Sequence, residues 1–236
     1  FFFKQKTAHQ MLRSLVGSEM CIRDRNDRAV VVEGYFDVIA LHAAGVENSV
    51  ASLGTALSSQ QITQLCRCSD SKRIVLNFDA DSAGVRAANR AIGEVEQLAL
   101  QGQLELRVLH LPAGKDPDEF LQAHTTGEYK SLLDQSPLWL DWQIDQVLQN
   151  LDLSKSDHFQ RAVSGLVQLL GKLPQSAVRT HYLQQVAERL SGGQCRLALQ
   201  LEEDLRLQVR GQRWHGQSSR HEQPGEASQR ERSEAE

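Results

Sequence analysis

Five carboxylates of this 236-residue chain occupy one kind of place. Glu33 directly follows the apolar run Ala29–Val32. Asp79 follows the run Arg73–Phe78, and Asp81 comes two residues later. Asp116 and Asp118 follow the Pro112-Ala113-Gly114 turn that closes the run Leu104–Leu111. Acids gathered in one cleft repel one another, and divalent cations relieve that repulsion. Oxygen-only donor sets, without His or Cys, suit Mg²⁺ or Mn²⁺. Such ions, used in pairs about 4 Å apart, serve phosphoryl transfer. Gly34, Gly54 and Gly84 each come soon after a strand end, where backbone must turn sharply or approach a phosphate. Asp is also a common turn and cap residue. That explains any one of the five acids better than all five together.

The elements that must carry these acids follow from the apolar pattern. Ala29–Val32 is a continuous β-branched run, as in a strand buried on both faces. Further strands are predicted over Ser49–Leu53, Arg73–Phe78 and Leu104–Leu111. Helices are predicted between them over Tyr35–Ala44, Ser58–Cys68 and Ser82–Leu100. Alternating strands and helices imply a parallel sheet covered on both faces, with every strand's carboxyl end on one edge. Ligands of such sheets bind at that edge. After about His124 the strands stop. Pro137–Asn150, Asp157–Leu173, Ser176–Leu190 and Gln194–Arg210 read as helices. Leu166, Leu169, Leu170 and Leu173 share one face, as do Val178, Tyr182, Val186 and Leu190.

The formal net charge is −4, from 26 basic and 30 acidic residues, so overall charge does not mark a nucleic-acid binder. No apolar run approaches the ~20 residues that span a bilayer, so no membrane partner is expected. Cys21, Cys66, Cys68 and Cys195 lack the paired spacing of a zinc module and read as reduced structural residues. Residues 1–25 lack the order of a signal peptide and read as a non-native or disordered leader. Residues 211–236, rich in Gln, Ser, Arg and Glu, read as a disordered linker.

Four motifs carry a resemblance. They are Val32-Glu33-Gly34-Tyr35-Phe36-Asp37-Val38, Ser52-Leu53-Gly54-Thr55-Ala56-Leu57, Asp79-Ala80-Asp81-Ser82-Ala83-Gly84, and Leu111-Pro112-Ala113-Gly114-Lys115-Asp116-Pro117-Asp118-Glu119. Together and in this order they resemble the toprim domain of bacterial DNA primases. The resemblance implies an α/β toprim fold over residues 28–125, a parallel sheet flanked by helices. More weakly, it implies the α-helical subdomain of the primase polymerase core over 129–210. Other toprim proteins are the alternatives: a topoisomerase, a nuclease or a recombination mediator. Type IA and type II topoisomerases continue the D-x-D motif into a third acid, whereas Ala83 and Gly84 stand there in this chain.

The family implies DNA-templated synthesis of short RNA primers. A primer 3′-hydroxyl attacks the α-phosphate of a ribonucleoside triphosphate at a site holding Mg²⁺ or Mn²⁺. By position, Glu33, Asp79 and Asp81 resemble the catalytic acids that hold the ions, and Asp116 and Asp118 the acids that complete the metal set. Gly34, Asp37, Gly54 and Gly84 would shape the site. Lys115, Arg86 and Arg90 would contact phosphates. The implied partners are single-stranded DNA template, ribonucleoside triphosphates and the replicative helicase, in the bacterial cytoplasm or an organelle. The family's zinc module and basic subdomain precede the toprim domain. No matching Cys and His set is present here, so zinc is not expected of this chain. The helicase-binding domain is expected beyond Glu236. As a fragment, the chain is expected to make no primers alone.

Overall fold

The computed structural model describes residues 27–52, 58–67, 69–112 and 116–218. The strands are β1 (Arg28–Val32), β2 (Ser49–Ala51), β3 (Arg73–Asn77) and β4 (Glu105–Leu109). Between them lie α1 (Tyr35–Ala43), α2 (Ser59–Arg67) and α3 (Ser82–Leu100). After β4 come α4 (Pro117–Ala123), α5 (Thr126–Gln135), α6 (Trp139–Leu148), α7 (Ser156–Gly171), α8 (Ala177–Leu190) and α9 (Cys195–Ser218). The chain forms two compact units that divide after Gln143, within α6.

All strand pairs in the first unit are parallel, in the order β2-β1-β3-β4. The register sets Val32 level with Ala51 on one side and Asn77 on the other, and Asn77 level with Leu109. β1 is buried along its whole length, as its apolar run Ala29–Val32 requires of a central strand. Val30, Val32, Val75 and Leu109 project into a core with Leu41, Val46, Leu111, Phe120, Tyr129 and Leu133. The alternating residues Val31, Ile74, Leu76 and Val108 are equally buried on the opposite side.

The strand order matters for function. From β1 the chain crosses to β2 on one side, then returns to β3 on the other. The direction of winding therefore reverses between β1 and β3, and their carboxyl ends diverge there. A crevice at such a reversal is the ordinary ligand position in an open parallel sheet.

The predicted helices do not include α4 and α5. Both carry start signals: Asp116 caps α4 with Pro117 in its first turn, and Thr125 with Glu128 forms a capping box for α5. Their short length and mixed composition hide the apolar period, so only the caps give them away. β1 begins one residue earlier than predicted, at Arg28, whereas β3 and β4 are shorter, because the apolar residues Phe78, Leu104 and Leu111 are buried beside the sheet without extending its pairing.

In the second unit α7, α8 and α9 bury Leu166, Leu170, Leu183, Val186, Leu205 and Val209. Gly165 lets Val147 approach closely, since a Cβ there would stand 2.9 Å from Val147 Cγ1. Val178 departs from the predicted stripe. It lies in the first turn of α8 and is exposed, while Tyr182, Val186 and Leu190 are buried. α9 continues to Ser218, past the Arg210 at which composition ended it. A nucleated helix adds a hydrogen bond for each residue it extends, even through poor helix formers such as Gly211. Among the described residues no helix is long and apolar enough to cross a membrane. The leader and residues 219–236 lie outside the described residues.

Candidate functional site

Glu33 is the first residue beyond β1, and Asp79 the second beyond β3, so the winding reversal sets them side by side. The Asp79 backbone N–H donates to Glu33 Oε1 at 3.2 Å. Asp81 caps α3: its Oδ1 accepts from the N–H groups of Ala83 at 2.8 Å and Gly84 at 2.7 Å. Asp116 caps α4 in the same way, its Oδ1 accepting from the Glu119 N–H at 2.7 Å. Two of the five acids are thus helix caps, as Asp commonly is. Capping occupies one oxygen of each, and among the described residues the other has no hydrogen-bond donor.

Asp37, named from the resemblance as shaping the site, lies in the first turn of α1 beside these acids. It is buried, and its carboxylate accepts from the Gly34 N–H at 3.0 Å and from the Asp118 N–H. It therefore ties the start of α1 to the start of α4. Gly34 makes this possible, since a Cβ there would stand 2.8 Å from Asp37 Oδ2. Gly84 is required for a different reason. A Cβ at that position would lie 2.1 Å from the Asp79 carbonyl oxygen, so the turn from Asp79 into α3 closes only over glycine.

Electrostatics shows that the acids converge. Burial raises the Asp79 carboxyl, and Glu33, Asp37, Asp116 and Asp81 push it further, to about 6. Burial likewise raises Asp37 above the usual carboxylate range. The Gly34 N–H opposes that rise, and Asp116 and Asp118 add to it. The predicted metal-site acids thus act on one another, either directly or through Asp37. Among the described residues, no three carboxylate, imidazole or thiolate groups are close enough to hold an ion by themselves. The set fits a hard cation that keeps its waters and shares ligands with a phosphate, as Mg²⁺ does, better than one enclosed by protein.

Arg86 and Arg90 are exposed one turn apart on α3, the helix that Asp81 caps. Neither forms an ion pair among the described residues. Gly54 and Lys115 lie outside the described residues.

A family described as Toprim-like matches residues 30–121, and one described as the DnaB-helicase binding domain of primase matches residues 140–194. The second match falls over residues 140–194 and not beyond Glu236, where helicase binding is expected from the resemblance. The DNA primase of Synechococcus elongatus is 65% identical over 211 residues, covering 89% of this chain. A DNA primase domain from Pseudomonas aeruginosa has a similar structure, with a TM-score of 0.59 at 32% identity, covering 79% of this chain and 57% of that one. The DnaG primase catalytic domain bound to ssDNA gives a TM-score of 0.60 at 26% identity, covering 73% of this chain and 54% of that one. The chain spans 30% of the length of the Synechococcus protein. The four motifs, the parallel sheet with its acidic edge, and these similarities agree: the chain belongs to the bacterial-type DNA primase family and carries its toprim domain.

Proposed function

We propose that this chain supplies the nucleotidyl-transfer centre with which a primase makes RNA primers on single-stranded DNA. The observation that carries the reading is the meeting of Glu33 and Asp79 at the winding reversal, where the Asp79 N–H donates to Glu33 and the neighbouring acids raise the Asp79 carboxyl. An acid cluster that resists its own ionisation is built to receive positive charge. In this reading Glu33, Asp79 and Asp81 hold Mg²⁺ or Mn²⁺, and Asp116 and Asp118 complete the set. Asp37 holds the segments that bear Glu33 and Asp118 in register.

When bound, the ions lower the pKa of the primer 3′-hydroxyl and neutralise the departing pyrophosphate. The chain's own groups do the positioning. Glu33 accepts the Asp79 N–H and so holds the loop that follows β3. The caps made by Asp81 and Asp116 fix the starts of α3 and α4. Arg86 and Arg90, with Lys115, attract phosphates to this edge. The replicative helicase is the partner of the helical segment over residues 140–194, by likeness to the family that binds DnaB.

The test is an Mn²⁺ titration followed by paramagnetic broadening in NMR spectra. Resonances of Glu33, Asp79, Asp81, Asp116 and Asp118 should broaden first. Broadening elsewhere that spares them would refute the assignment.

A further inference from the structure

Asn77 is the last residue of β3, two positions before Asp79, and it is buried. Its Nδ2–H donates to the Tyr129 hydroxyl at 2.8 Å. Tyr129, on α5, is fully buried, and its ring lies tilted against Phe120 of α4, with centroids 6.1 Å apart. Burial holds its hydroxyl protonated far above the usual phenol range, and the nearby Asp37 carboxylate adds to that effect. One side chain thus touches both halves of the acidic site. Through Asn77 it meets the strand that leads to Asp79 and Asp81. Through Phe120 it meets the helix that Asp116 caps and that carries Asp118 in its first turn.

Stability alone does not account for a polar pair at this point of an apolar core. A buried neutral hydrogen bond adds little net stability over two apolar groups of the same shape, although leaving either partner unpaired is costly. What the bond adds is direction. Apolar contacts let a strand end settle over a range of positions, whereas an amide–hydroxyl bond defines one. The register places this bond level with Val32, one residue before Glu33, on the neighbouring strand. A shift at Asn77 therefore alters how the Asp79 N–H meets the Glu33 carboxylate.

We propose that Asn77 and Tyr129 are a positioning pair. Their hydrogen bond sets the end of β3 so that Asp79 and Glu33 can share a divalent cation. The proposal rests on the metal-site reading above, and neither residue touches the ion or substrate.

The experiment compares the 236-residue chain with Tyr129→Phe, Asn77→Leu and the double variant. Mn²⁺ affinity is measured by electron paramagnetic resonance, melting is followed in EDTA, and exchange of the Asp79 amide by NMR. Each single variant should bind Mn²⁺ about tenfold more weakly, as is common when a group behind a metal ligand is lost. Each should also melt lower, because one partner is left unpaired. The double variant should regain the melting temperature while affinity stays low and the Asp79 amide exchanges faster than in wild type. A stability loss would also accompany a purely structural pair, so the double variant decides. If its affinity returns together with its stability, or if Asp79 exchange is unchanged, the positioning role is overturned. If wild type binds Mn²⁺ at the acids and every variant binds equally well, the positioning role alone fails. If wild type shows no Mn²⁺ binding at the acids, both the metal-site reading and this proposal fail.

Discussion

The backbone N–H of Asp79 points at the Glu33 carboxylate, 3.2 Å from Oε1, although 46 residues separate the two in sequence. One acid therefore helps to hold the loop that bears the other. Glu33→Gln keeps an oxygen that can accept this N–H but removes the charge. It should raise melting in EDTA slightly, since the Glu33 charge no longer repels Asp79, while lowering Mn²⁺ affinity at least tenfold. Glu33→Ala should lower both. Calorimetric titration beside thermal melts separates the two effects. A Gln variant with wild-type affinity would show that Glu33 serves the loop and not the ion.

The contribution of Asp79 to the stability of the metal-free protein should fall as pH rises from about 4 to about 6. The Asp79 carboxyl moves from an ordinary value of 3.8 up to about 6 in the fold. Between those values the folded state holds more protons than the unfolded chain, so unfolding free energy decreases with pH. The Asp79 contribution is complete below the lower value and lost above the higher one. Because solvent screens this partly exposed group, the loss should be about 1 kcal/mol, less than the full shift would imply. Relative to wild type, Asp79→Asn should gain stability as pH rises through this window, and it should be the more stable of the two without metal at neutral pH. Saturating Mg²⁺ should offset the destabilisation in wild type but not in the variant. An unchanged pH slope in Asp79→Asn would mean that the carboxyl titrates normally.

Gly84→Ala should be among the most damaging single-methyl changes in the first unit. The added Cβ would meet backbone, the Asp79 carbonyl at 2.1 Å, and backbone cannot swing aside as a flexible side chain can. Forcing it in should cost about 3 kcal/mol. By contrast, a Cβ at Gly93, later in the same helix, meets nothing within 4 Å, so Gly93→Ala should gain about 1 kcal/mol from helix propensity. Urea melts of both variants test the contrast. Equal stabilities would show that the turn after β3 can relax.

Much of this arrangement is legible in the residues. Apolar runs give the strands, and the acids beyond their carboxyl ends give the candidate site. The strand order is not legible, because β2-β1-β3-β4 depends on packing choices that no local pattern encodes. The same holds for Asp37. The resemblance names it as shaping the site, but its burial and its bond to the Asp118 N–H follow only from the approach of α4 to the first turn of α1. Asn77 and Tyr129 lie 52 residues apart and pair only in the fold. A polar residue at the end of an apolar strand was the one available signal, and it is equally consistent with an ordinary strand terminus. The capping role of Asp81 and Asp116 follows the simplest rule for Asp. It does not compete with metal binding, since the cap uses one oxygen and an ion would use the other.

Activity should depend on sequence around this segment as well as on its acids. Nucleotidyl transfer needs the primer end held in line within about 3.5 Å of the α-phosphate, and the template must be gripped to define that line. Such a grip uses several Lys or Arg contacts to phosphates and weakens steeply with salt. This chain has 26 basic and 30 acidic residues, and its acidic edge would repel DNA in the absence of metal. The 236-residue chain should therefore bind single-stranded DNA weakly and incorporate no labelled ribonucleotide. Residues 28–210 placed in the corresponding part of the Synechococcus elongatus primase should support primer synthesis, given the 65% identity of the two sequences. Glu33→Gln in that chimaera should abolish synthesis while template binding in Mg²⁺ persists. Arg86→Ala with Arg90→Ala should raise KM for ribonucleotides severalfold and leave kcat closer to normal, if the two arginines attract phosphates and do not act on the reacting atoms. Vigorous synthesis by the 236-residue chain alone would show that its own few cations suffice to grip the template. An inactive chimaera that still binds Mn²⁺ at the acids would separate metal binding from primer synthesis and count against the proposed activity.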